Sequence, residues 1–146
     1  MIRPHDSVIV QTLARVFVPI IQLFALYVLI HGHDSPGGGF QAGTLFGASI
    51  ILLVLAFGIQ NSHAVLESRA IFVGGIGILI YAGIGLLPLL LGHEYLNYAE
   101  LPIPGMEASA RRHWGILGIE IGVTVTVAAT AVSIFYSLRG EEGRHD

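Results

Sequence analysis

Apolar and polar positions alternate along this chain in long blocks. Four apolar runs, about residues 8–30, 42–59, 70–91 and 114–138, are separated by short polar segments. Each run is close to the roughly 20 residues with which an α-helix crosses about 30 Å of hydrocarbon. Backbone N–H and C=O groups in lipid must pair within their own segment, so each run is predicted as a helix. The expected fold class is an all-α integral membrane protein with four transmembrane helices, a single unit over residues 1–146. The first run carries Arg15 and Gln22 and no small-residue cleavage site follows it, so it is expected to remain in the mature chain and not to act as a leader.

The polar residues inside these runs are few and patterned. On the first helix, Gln11, Arg15 and Gln22 fall within about 40° of one another at 100° per residue, and Pro19 between them predicts a kink. Arg15 can snorkel to the near surface, whereas Gln22 is too deep and too short to do so and needs a partner on another helix or another chain. On the fourth helix, Gly115, Gly118, Gly122, Thr126 and Ser133 share a side that permits close backbone approach. His113, Glu120 and Thr124 lie nearly opposite. Glu120 is the one carboxylate well inside a span, about 9 Å below its start at 1.5 Å per residue. Two roles are open to it: packing through a hydrogen bond, with Gln22 at a similar depth as a partner, or titration and cation contact on an ion path. Arg15 belongs to the other half of the membrane. Further glycines, Gly43 and Gly47 on the second helix and Gly74, Gly75, Gly77, Gly83 and Gly85 on the third, suggest more packing faces than four helices can satisfy.

Composition agrees with this reading and narrows it. Hydrophobic residues make up 53% of the chain and charged residues 12%, about half of what soluble domains carry. The absence of cysteine excludes disulfides, thiolate metal sites and thiol redox chemistry. All seven basic residues are arginine, which excludes a lysine proton relay. Arg3, Arg15, Arg69, Arg139 and Arg144 fall towards one side, against Arg111 and Arg112 on the other, so both termini are expected in the cytoplasm. The tail after Leu138, RGEEGRHD, reads as a solvated end.

One connection does not look like an ordinary loop. HGHDSPGGGFQAG, residues 31–43, joins the first two spans at the outer face. Gly37 to Ala42 nominally satisfies G-x-G-x-x-A, but it follows a membrane helix and not a strand, so a nucleotide fingerprint is rejected. His31, His33, His93 and His113 all emerge at this face, yet at loop boundaries and not within the helices where haem ligands sit; no metal and no cofactor is expected. The remaining reading is an elbow: Asp34 or Ser35 caps, Pro36 ends helical structure, and Gly37, Gly38 and Gly39 let the backbone fold in before Phe40 starts the second span. Non-helical backbone at that depth needs protein around it or a hydrated cavity.

This segment resembles the signature of the MnhB family, small membrane components of the Mrp-type multisubunit sodium/proton antiporter, whose relatives also occur in membrane-bound hydrogenase-type complexes. The glycine-rich third helix and GIEIGVTVTVAA around Glu120 extend the resemblance over the whole chain. It implies a small accessory subunit, not an enzyme, in the cell membrane. Its implied partners are the other subunits of a hetero-oligomeric complex, with Na+ and H+ as the transported ions and the lipid bilayer around it; nucleic acid is not expected. The positions carried over are His31, His33, Asp34, Pro36, Gly37, Gly38, Gly39, Phe40, Gln41 and the acid at Glu120. Candidates for an ion path or a titrating site are Glu120, His113, Thr124, Gln22 and Arg15, and no residue is expected to be catalytic. The alternatives are the equivalent component of a hydrogenase-type complex, a self-sufficient dimeric four-helix cation exporter and a haem-binding anchor.

Overall fold

The structure, a computed structural model, describes residues 7–32, 36–58 and 63–142. Four helices follow in order: α1 (Val8–Ile30), α2 (Gly39–Phe57), α3 (His63–Leu90) and α4 (Ala108–Glu142), with a 3₁₀ turn at Tyr98–Glu100 between the last two. All four are long and apolar enough to cross a membrane. The Ser7 side chain caps α1 by accepting from the Val10 N–H, and the helix runs unbroken through Pro19. Gly58, in the left-handed region, closes α2 with its N–H on the Val54 carbonyl at 3.0 Å.

α1 coincides with its apolar run, whereas α3 and α4 start well ahead of theirs. α3 begins seven residues before position 70, and α4 begins six residues before Trp114 and continues past Leu138. At 35 residues, α4 is about 52 Å long, well beyond the hydrocarbon thickness. Arg111, Arg112 and Arg139 stand in its end segments, outside the apolar run, with Arg112 exposed. Hydropathy therefore reports the immersed part of a helix and not its ends.

α4 is the central element, with α3 against one face, α2 against another, and α1 packed mainly on α2. Both of its seams are made of small residues. Towards α3, a Cβ placed on Gly122 would sit 2.9 Å from the Gly77 carbonyl, and Thr126 Oγ1 reaches the Gly74 carbonyl at 3.4 Å. Towards α2, a Cβ on Gly43 would sit 2.7 Å from the Thr124 carbonyl, and one on Gly47 would be 3.0 Å from Ala131 Cβ. Such backbone approach replaces the hydrophobic drive that is missing between helices in lipid. Towards the end of α2 and the start of α3, a small cluster of Val54, Ala70, Val132 and Tyr136 joins the three helices.

Candidate functional site

The elbow and the acidic position of α4, more than eighty residues apart in sequence, meet at one place. Gly38 takes the N-cap position of α2 with φ 101° and ψ −166°, a backbone state open essentially to glycine. Gly39, the first helical residue, lies so close to α4 that a Cβ there would collide with the Glu120 carbonyl oxygen. A Cβ on Gly38 would stand 3.0 Å from Glu120 Oε1, and one on Gly32 would stand 2.8 Å from the same oxygen. The carboxyl group thus lies against the backbone of Gly32 and Gly38, at the N-terminal end of α2. Thr124, one turn further along α4 and buried, shares its hydroxyl between the Gly39 carbonyl at 3.1 Å and the Glu120 carbonyl at 2.8 Å.

Two consequences follow for the chemistry. The start of a helix presents backbone N–H groups without intrahelical acceptors and the positive end of the helix dipole, so a carboxylate is electrostatically suited to this place. Glu120 is half-buried as a residue, with its Oε2 covered by protein. A carboxyl group held in this way can take part in proton or cation exchange, or can lock α4 to the elbow.

The remaining motif residues divide. Gly37 packs inward, with a Cβ there 3.1 Å from Val28 Cγ1, whereas Pro36, Phe40 and Gln41 are exposed, Phe40 at 67%. His31 stacks on Tyr27 with ring centroids 4.3 Å apart, and its Nδ1 pairs with the Tyr27 carbonyl at 3.0 Å. His33, Asp34 and Ser35 lie outside the described residues, and with them the expected cap; the cap position of α2 itself is Gly38. Gly32, which reasoning from sequence passed over, belongs to the joint. Its signal was its position between the two histidines, directly after a span.

The other candidates sit elsewhere. His113 is exposed two turns from Glu120, edge-on to Trp114 with centroids 5.9 Å apart. His93 lies in the α3–α4 connection, 3.9 Å from the Glu100 carboxylate. Nearby, burial, followed by Tyr81 and Tyr95, pushes the Tyr98 phenol above its ordinary range. Among the described residues no three histidine or acidic side chains come together as a metal site. Arg15 is exposed at the far end of the bundle, its guanidinium 5.3 Å from the centroid of the Phe57 ring.

Gln22 corrects an expectation. Its amide donates to the Ser49 hydroxyl at 3.2 Å, and Ser49 in turn donates to the Phe46 carbonyl at 2.7 Å. Ser49 is ten residues along α2 from Gly39, about 15 Å from the level of Glu120. A partner on another helix is therefore present, but it belongs to α2 and not to α4. Counting residues from the span ends suggests similar heights for Gln22 and Glu120, but Glu120 lies level with Gly32 and Gly38 at the elbow, ten residues or about 15 Å along α1 from Gln22, so the two differ in depth as well as in direction.

Comparison with known proteins follows the same whole-chain pattern. A family model described as a domain related to the MnhB subunit of the Na+/H+ antiporter matches residues 9–133. The chain is 32% identical over 132 residues to a Na+/H+ antiporter subunit of Bacillus subtilis, covering 86% of this chain and 92% of that one. It is similarly 31% identical to the putative antiporter protein mnhB2 of Staphylococcus haemolyticus and 32% identical to that of Staphylococcus aureus strain Newman. Both of these matches cover 93% of this chain and 96% of the relative.

Proposed function

The chain belongs to the MnhB family, and from that membership we propose that it is an accessory membrane subunit of a multisubunit Na+/H+ antiporter, needed for assembly and carrying in Glu120 a titrating group beside the ion path. It is a multi-pass protein of the cell membrane and a transporter component, and its partners are the other antiporter subunits. Na+ and H+ are the ions exchanged by that complex, and both termini face the cytoplasm, as the arginine bias favours.

The observation that carries this reading is the joint itself. The stretch of sequence that resembles the family signature folds onto the acid of the last helix, through Gly32, Gly38 and Gly39 on one side and Glu120 and Thr124 on the other. A charged group in a membrane helix is costly and is retained where it pairs or works. Here it is held at a helix N-terminus, with part of the residue still exposed.

The test is removal of this chain from cells that produce the rest of its complex. Both the assembled complex on a native gel and Na+/H+ antiport in everted vesicles are expected to disappear, and both to return with the wild-type chain. A complex that assembles and exchanges ions at the wild-type rate without it would overturn the proposal.

A further inference from the structure

Between α2 and α3, on a floor formed by α4, runs an apolar groove of about 550 Å³. Phe46 and Ile50 form one wall, Ala70 and Val73 the other, and Ala128 and Val132 lie beneath. It extends along α4 from Ile121 to Tyr136, fifteen residues or about 22 Å, more than the roughly 15 Å depth of one leaflet. One cation lines it, Arg69 on α3, at the end where Tyr136 also lies. Arg69 is exposed and makes no ion pair or hydrogen bond among the described residues. The acid two residues before it, Glu67, accepts from the Ser137 hydroxyl at 2.5 Å across the α3–α4 seam.

The geometry points to a bound anionic phospholipid, one acyl chain lying in the groove along α4 and the phosphate held by the Arg69 guanidinium. Shape suits this occupant: a void of about 550 Å³ spread over about 22 Å is a narrow slot like a hydrocarbon chain, and a neighbouring helix in its place is an outcome the test below separates. Charge then selects among lipids. An arginine with no carboxylate partner among the described residues, at the end of an otherwise apolar slot, offers a planar fork of donors to phosphate and to an anionic headgroup. The inference goes beyond the antiporter reading and does not depend on it.

A photoreactive benzoylphenylalanine at Val73, in the full chain within its assembled complex, tests this in vesicles of equal phosphatidylglycerol and phosphatidylcholine. Mass spectrometry of the illuminated chain is expected to find phosphatidylglycerol adducts about five-fold over phosphatidylcholine, the preference one basic residue near an anionic surface supplies. The same probe at Phe72, which is 71% exposed one position away, should label the two lipids in their bulk ratio. Arg69→Gln should bring the Val73 ratio to that of Phe72 while the complex still assembles. Equal labelling by both lipids at Val73, an unchanged ratio in Arg69→Gln, or a cross-link to a second polypeptide in place of lipid would each overturn the proposal.

Discussion

At Glu120, packing and titration predict different variants. Glu120→Gln keeps volume and hydrogen-bonding capacity but removes the ionisable group, so it is expected to assemble at wild-type level with a displaced pH profile or weaker apparent sodium affinity in vesicle antiport. A wild-type profile would end the titrating role and leave only the joint. Glu120→Ala also removes contacts to the elbow and should lower the amount of assembled complex; it does not strand Gln22, whose amide is held by Ser49. Gln22→Leu should therefore be mild, about 0.6 kcal/mol, the average for a side-chain hydrogen bond between membrane helices, read as a small fall in the thermal midpoint of the solubilised complex. Gly38→Val forces a β-branched residue into φ 101° with its Cβ against the Glu120 carboxyl group. A cost of about 1–3 kcal/mol is expected, seen as loss of complex on a native gel with antiport falling in proportion.

At the scale of elements, the glycines separate by what each one faces. Gly77 is pressed against Thr126 and Gly122, with a Cβ there 2.7 Å from the Gly122 carbonyl, while a Cβ on Gly75 or Gly83 would meet nothing within 4 Å. Gly77→Leu should open the α3–α4 seam at about 1–3 kcal/mol, the usual cost of overpacking. Gly75→Ala should leave the stability of the chain itself unchanged; both are measured by thermal aggregation of the detergent-solubilised protein. Spacing alone marked five glycines on α3 as candidates for packing. Which of them pack is set by the rotation of α3 against α4, and neither seam can be deduced from one helix at a time.

For the whole molecule, the small number of buried side chains sets the expectation. Large apolar residues such as Leu79 at 71% and Leu90 at 80% exposure face outwards, and open glycine faces add surfaces suited to close helix contact. Produced alone in a sodium-sensitive host, the chain is expected to confer no salt tolerance and to show no antiport in vesicles. Activity of the isolated chain would instead point to a self-sufficient exporter.

Much of this architecture is determined by sequence alone, because the cost of leaving backbone groups unpaired in hydrocarbon makes helix the one solution for each apolar run. The number of helices, the glycine elbow and the singular place of Glu120 follow from local composition and depth. Only the tertiary structure decided that Glu120 meets Gly32, Gly38 and Gly39, that Gln22 meets Ser49, and that Arg15 ends at Phe57. Residue count gives position along one helix, but how far the helices are shifted along one another, and which way a side chain faces, depends on which small-residue faces dock, as the separation of Gln22 from Glu120 shows. That choice is made by close packing across the whole bundle.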